Sequence, residues 1–325
     1  MPTLPLRPGR GPAIIRRYGA LMAFLPVADG VLVRTSRRMR TTTTLILGRA
    51  AGRGLRPALL VDPAWEADEL AAIADELDAR EVEVVAGLAT HAHHDHLLWH
   101  PRYGEAPRWA SPATVAAARA RRRALLAELT ADAAYPADVL ELFGGVVASP
   151  SDHVPDPAGV LPETVLVVHD AHAPGHTALW LPAAGVLVAG DMLSDVETPL
   201  PFDTSETAAD LAAYGDGLDR LAPWVARARV VVPGHGTPSS VPGAWSPAER
   251  LDADRRYLDA VLAGRPVDDP RLADPGMLEE HERAVRVAAR ARGGSAEGGE
   301  HRSGRGGGQG DQHERGQALP ERPHG

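Results

Sequence analysis

A short segment of the chain, Thr90–His96, reads Thr-His-Ala-His-His-Asp-His and carries four histidines and an aspartate. Imidazole nitrogens and carboxylate oxygens are common metal ligands in proteins. His91 and His93 alternate, so they project to the same side if the segment is extended. Asp95 and His96 follow where the segment turns towards the next element. This composition and spacing predict a loop that offers two ligands to each of two neighbouring metal ions.

Three further candidate ligands follow downstream, each at the end of a predicted strand. His176 lies in Ala-Pro-Gly-His-Thr, Asp191 in Ala-Gly-Asp-Met and His235 in Pro-Gly-His-Gly. The glycine in each motif allows a sharp turn and a close approach of the backbone. A ligand at a strand end is held by a rigid scaffold while it faces a loop-lined cleft. We therefore expect these three residues to join the histidine loop.

The four motifs, in this order along the chain, resemble those of the metallo-β-lactamase fold superfamily. The resemblance covers about Ala23 to Pro242. It implies an α+β fold, an αββα sandwich of two mixed β-sheets flanked by helices, with the site at one edge between the sheets. Asp62, in Leu-Val-Asp, resembles an aspartate at a strand end that supports the ligands, although Pro63 and Ala64 replace the usual Thr-Gly.

Carried over by motif, the resemblance implies a two-metal site with seven protein ligands. The first ion would be bound by His91, His93 and His176. The second would be bound by Asp95, His96 and His235, and Asp191 would bridge the two ions. Nitrogen and oxygen ligands without thiolate suit Zn²⁺ best, with Mn²⁺ or Fe²⁺ as alternatives.

Such a site implies hydrolysis by a metal-bridging hydroxide, with Asp95 as the catalytic residue that orients the nucleophile. The substrate would be a small molecule with an ester, thioester, lactone or related bond. Three alternatives stay open: a persulfide dioxygenase with a single iron, a phosphodiesterase, and a metal-binding protein without turnover. The bulky run Leu97–Trp99 after the loop departs from the small residues common in glyoxalase-II-like thioesterases and lactonases, so the substrate is not assigned.

Five other histidines have simpler interpretations. His94 is the variable position of the loop and is expected to face away from the metals. His172 precedes His176 by four residues and is interpreted as an outer partner of the ligands. Structural roles are expected for His100, His153 and His169.

Composition excludes several classes of function. The net charge of −9 argues against a nucleic-acid substrate, which needs a basic surface. The chain contains no cysteine, so a disulfide or a thiolate ligand is excluded. No apolar run approaches the ~20 residues of a membrane span, and Arg16–Ala28 is a poor export signal. A cytoplasmic protein without a membrane or nucleic-acid partner is expected, of undetermined oligomeric state.

Strand and helix patterns alternate through the body, which is predicted to be one domain at 23–292. The segment 1–22 is expected to be a flexible extension, and the Gly-rich segment 293–325 a disordered tail. A helix opens at Ser111-Pro112 and carries Arg119 and Arg121–Arg123, interpreted as a solvated face rather than a substrate clamp. This helix and the segment Leu193–Phe202 are expected to shape the pocket. Candidate apolar walls, for each of which a core role is equally expected, are Trp99, Trp109 and Phe202.

Overall fold

The computed structural model describes residues 23–50, 54–131 and 133–297. The predicted extension 1–22 and residues 298–325 of the predicted tail lie outside the described residues, while the last helix continues to Glu297, inside that tail. No helix among the described residues is long and apolar enough to cross a membrane.

Eleven strands form two sheets in the described part of the chain. The strands are β1 (Leu25–Ala28), β2 (Val31–Thr35), β3 (Thr42–Leu47), β4 (Arg56–Val61), β5 (Val82–Leu88), β6 (Arg108–Ala110), β7 (Val147–Ala148), β8 (Val165–His169), β9 (His176–Leu181), β10 (Val186–Gly190) and β11 (Val230–Pro233). The first seven form one sheet in chain order, and the other four form the second in the order β11-β10-β9-β8. Both sheets are mixed: β4 to β7 pair in parallel, as do β10 and β11, whereas the other neighbours pair antiparallel.

Within the same described ranges, six α-helices cover the outer faces of the sheets. They are α1 (Ala67–Ala79), α2 (Pro112–Leu129), α3 (Ala137–Leu142), α4 (Ala208–Val225), α5 (Pro247–Ala263) and α6 (Pro275–Glu297), with short 3₁₀ turns at Pro101–Tyr103 and Pro270–Ala273. Ser111 accepts the Thr114 N–H at the start of α2, and Ser246 forms a capping box with Glu249 at α5, as expected for helix starts at Ser-Pro.

Side-chain alternation along the strands divides the interior into three apolar layers. On β3, Leu45 packs towards the helices of the first sheet, while Ile46 packs between the sheets. On β10, Val186 and Val188 face the inter-sheet layer, while Leu187 packs under the helices of the second sheet. Successive strand residues point to opposite faces, so each strand supplies two layers at once. The predicted αββα sandwich is confirmed.

Candidate metal centre

The predicted ligands converge at one edge of the sandwich, where the parallel strand pairs end. The histidine loop follows β5, Asp62 follows β4, Asp191 follows β10 and His235 follows β11. A backbone pairing of Thr41 with His235 closes this edge, and the Thr42 N–H donates to the Gly234 carbonyl at 2.6 Å. A Cβ at Gly234 would overlap the Asp191 carboxylate, so this motif requires glycine for close approach.

A first group of ligand atoms belongs to His91, His93, His172 and Asp191, all within 4.8 Å of one another. His93 Nδ1 lies 3.0 Å from His91 Nε2 and 3.1 Å from His172 Nε2. Asp191 Oδ2 lies 3.3 Å from His91 Nε2 and 3.4 Å from His172 Nε2. Three imidazoles and a carboxylate therefore face one point, which we call the first subsite.

His172 lies in this group, whereas His176, which the motif assigns to the first ion, lies outside it. β9 begins at His176, three residues before the predicted strand, and the strand fixes its direction. The fully buried ring accepts the Asp191 N–H at Nε2, 3.0 Å away, and its Nδ1 lies 3.3 Å from His169. His172, in the preceding loop with φ of 65°, turns its Nε2 inward instead. The structure therefore places the His172 ring in the first subsite and the His176 ring beside Asp191, and the assignment of His176 as a ligand stays a prediction.

A second group consists of Asp95, His96 and His235, again within 4.8 Å. Asp95 Oδ2 lies 3.2 Å from His96 Nε2 and 3.2 Å from His235 Nε2. Asp191 also reaches this group, with Oδ1 3.3 Å from His96 Nε2 and Oδ2 3.4 Å from His235 Nε2. These residues form the second subsite, and Asp191 lies between the two subsites as a bridging ligand must.

The outward nitrogen of each imidazole in the two subsites has its own neighbour, which orients the ring. The pairs are His91 with Thr90 Oγ1 (3.0 Å), His93 with Asp203 Oδ1 (3.2 Å), His96 with Asp62 Oδ2 (3.0 Å), His172 with the Leu200 carbonyl (3.0 Å) and His235 with the Met39 carbonyl (3.0 Å). Asp62 also accepts the backbone N–H and the hydroxyl of Thr90. It supports the loop despite the altered sequence that follows it.

The electrostatics of the group fit bound cations. Burial alone would raise the pKa of Asp191, but the neighbouring imidazoles, His96 first, hold it well below its usual value. Burial would lower the pKa of His96, but Asp191 and Asp95 raise it well above its ordinary value. Among the described residues, the buried His96 Nε2 and Asp191 Oδ1 have no hydrogen-bond partner. Buried polar atoms are rarely left unpaired, and a metal ion would satisfy both.

The segment after Asp191 is held by two buried arginines of the C-terminal region. Arg271 donates to the Ser194 and Glu197 carbonyls at 3.0 and 2.8 Å and pairs with Asp254 at 2.6 Å. Arg250 donates to the Leu193 carbonyl at 2.9 Å. These contacts fix the chain that follows Asp191.

Several residues near the site give no clear signal in the sequence. Glu197 is buried, lies 3.8 Å from His235 Nδ1, and has a pKa raised to about 7 by burial. Glu197 and Met39 also line a cavity of about 570 Å³ on this side of His235. Asp203 lies one residue beyond the segment expected to shape the pocket. These contacts join residues that are far apart in the chain, so the local sequence pattern does not predict them.

The other singled-out residues lie outside the two ligand groups among the described residues. His94 packs edge-on against Trp65, with ring centroids 4.9 Å apart. Leu97, Leu98 and Trp99 are buried in the core under the helices of the first sheet, which explains their bulk. Trp109 packs on the inter-sheet layer, and Phe202 on the layer of the second sheet.

The three histidines with expected structural roles contact neighbours outside the two subsites. His100 accepts the Arg102 N–H at 3.3 Å, and His153 is an exposed neighbour of Asp152. His169 stacks on His176, with ring centroids 4.7 Å apart. None of the three belongs to either ligand group among the described residues.

We expect His169 to make the stability of the metal-free protein sensitive to mild acid. Burial, with the nearby Arg220, lowers its pKa from 6.5 to about 4. Between these values the unfolded chain binds a proton that the folded protein does not, so stability falls as the pH drops. Between pH 7.5 and 4.5, we expect the free energy of unfolding of the parent protein to fall by up to about 3 kcal/mol more than that of His169→Gln. Denaturant titrations of chelated protein at pH 7.5 and 4.5 measure this difference, and equal losses would contradict it.

Comparisons with known proteins identify the family of the chain and agree with its fold. The sequence profile of the metallo-beta-lactamase superfamily matches residues 53–258. A beta-lactamase domain protein from Burkholderia ambifaria is similar at 19% identity and a TM-score of 0.56, covering 85% of this chain and 89% of that one. A metallo-beta-lactamase family protein from Thermus thermophilus is 21% identical at a TM-score of 0.53, covering 74% and 82%. The inverting sec-alkylsulfatase Pisa1 from Pseudomonas sp. is 17% identical at 0.52, covering 74% and 42%.

Proposed function

Because the chain belongs to the metallo-β-lactamase superfamily, we propose that it is a hydrolase with two divalent metal ions, Zn²⁺ by preference. Its substrate would be a small molecule with an ester, thioester, lactone or related bond. The observation that carries this proposal is the pair of ligand groups that share Asp191. In this proposal His172, not His176, is the third imidazole of the first subsite.

Two ions held by these groups would supply a water of lowered pKa, near ~7 on zinc, and would polarise the substrate oxygen. Asp95 faces both imidazoles of the second subsite through Oδ2. An ionised carboxylate only accepts hydrogen bonds, so its remaining lone pairs can orient a water by holding its proton. The Met39 carbonyl fixes His235 by accepting the hydrogen of Nδ1, which leaves Nε2 free for a metal.

Burial defines the side from which a substrate would approach. The side chains of His91 and His96 are inaccessible, whereas those of His93 and His94 are each 23% exposed. The indole of Trp65 lies beside this opening, edge-on to His94 and with its ring centroid 6.4 Å from that of His235. The Arg38 guanidinium lies 4.3 Å from the centre of the same indole. This wall favours a substrate with an apolar part next to the bond that is cleaved.

The completeness of the second subsite supports a two-metal hydrolase over the dioxygenase with a single iron. A dioxygenase with a single iron would need only the ligands of the first subsite, Asp191 included. Here Asp95, His96 and His235 are also buried together, and His96 has Asp62 as its outer neighbour. A phosphodiesterase would use the same two ions, so only activity distinguishes it.

Metal analysis combined with a substrate panel tests the proposal. We expect about two Zn²⁺ per purified chain, hydrolysis of at least one ester, thioester or lactone, loss of activity on chelation, and recovery with Zn²⁺. Phosphodiesters, and a persulfide with measurement of oxygen consumption, complete the panel. One iron per chain with oxygen consumption would favour the dioxygenase, and full activity without metal would exclude the proposed mechanism.

A further inference from the structure

The segment that follows the bridging Asp191 also orients two imidazoles of the first subsite. The Leu200 carbonyl lies 3.0 Å from His172 Nδ1, and Asp203 Oδ1 lies 3.2 Å from His93 Nε2. With those nitrogens engaged, His172 Nε2 and His93 Nδ1 are the atoms that face the subsite. A carboxylate that accepts from the far nitrogen of a ligating imidazole fixes its tautomer and ring orientation.

Asp203 is in turn held by Arg121 of α2. The Arg121 guanidinium lies 2.5 Å from the same Asp203 oxygen, and the Asp203 side chain is only 8% exposed. Hydrogen bonds between charged groups are stronger than neutral ones, most of all where water is excluded. The interpretation of this arginine as part of a solvated face is therefore wrong. Its neighbours Arg119 and Arg123 are exposed on the same helix.

The pair joins the two halves of the sandwich at the rim of the site. Val115 and Ala118 of α2 belong to the core of the first sheet, whereas Phe202, next to Asp203, packs on the core of the second. The second subsite depends on other neighbours, since Asp62 faces His96 and Met39 faces His235. The Arg121–Asp203 pair contacts an imidazole of one subsite only.

We propose that Arg121 and Asp203 are positioning residues that hold His93 in its ligating orientation and so set the metal affinity of the first subsite alone. This inference rests on the proposed two-metal function. It predicts a selective effect, because a pair that merely stabilised the fold would influence both subsites alike.

Zinc affinity, measured by chelator competition in paired backgrounds, tests the selectivity. His235→Ala isolates the first subsite, and His93→Ala isolates the second. We expect Asp203→Asn to weaken Zn²⁺ binding about 10- to 100-fold in the first background and to leave it unchanged in the second. Arg121→Ala should give a smaller effect with the same selectivity, and Arg119→Ala, from the exposed face of α2, should give none.

Melting temperatures of the metal-free variants show whether each variant remains folded. If Asp203→Asn does not fold, Arg121→Ala serves as the test. Equal weakening in both backgrounds, or no weakening in the His235→Ala background, would overturn the inference. Failure of the parent protein to bind two ions would instead overturn the proposed function, so the two failures are distinguishable.

Discussion

Replacing Asp191 with asparagine is expected to remove both metal ions under conditions in which the parent protein retains two. The change keeps the volume of the side chain and removes the charge that both subsites share. Loss of an outer partner alone typically costs about 10- to 100-fold in metal affinity, so loss of the shared ligand should exceed about 100-fold for each ion. Hydrolysis of any substrate found by the panel should fall at least in proportion to the metal lost.

Equilibrium dialysis against graded free Zn²⁺, followed by metal analysis, measures this effect. Asp152→Asn is the matched control, since the Asp152 side chain is 86% exposed and its only histidine neighbour is the exposed His153 among the described residues. If Asp191→Asn retained two tightly bound ions, the shared carboxylate would not be a bridging ligand.

Replacing Arg271 with leucine should produce the second large effect, a loss of stability of the metal-free protein. Arg271 and Asp254 are each 1% exposed, and burial raises the pKa of Asp254 even with the arginine beside it. Removing one partner of a buried ion pair leaves an uncompensated charge, which costs roughly 3–5 kcal/mol. The carbonyls of Ser194 and Glu197 lose a donor in the same step.

Denaturant unfolding of chelated protein measures this loss without a contribution from bound metal. Arg255→Leu is the control, because its pair with Asp219 is exposed, at 40% and 75%, and should contribute at most about 1 kcal/mol. A loss for Arg271→Leu no larger than that of the control would mean that the buried pair does not stabilise the fold.

The main architecture is predictable because the residue pattern of each long strand indicates both the strand and the faces on which it packs. Adjacent apolar residues such as Leu45 and Ile46 belong to opposite layers, so a continuously apolar strand already indicates packing on both faces. The sequence does not predict four short elements, which are the strands β1, β6 and β7 and the helix α3. They have two to six residues, and contacts with neighbouring elements rather than the local residue pattern determine their conformation.

Six of the seven predicted ligands lie in the two groups because a motif at a strand end specifies both a side chain and its place in the fold. The exception shows the limit of such an argument. His172 and His176 flank the same Ala-Pro-Gly turn, and only the start of β9 determines which ring turns inward. Asp203 and Arg121 meet across 82 residues of chain, a contact that no local pattern could reveal.

The contact between Thr41 and His235 has a consequence for how the protein folds. The two residues pair across 194 positions of chain, and the Thr42 N–H reaches the Gly234 carbonyl across a similar separation. Contacts so distant in sequence form only after a large loss of chain entropy, and proteins dominated by them fold slowly. The second subsite can therefore assemble only after both sheets have docked, so metal uptake there would report the completion of folding rather than nucleate it.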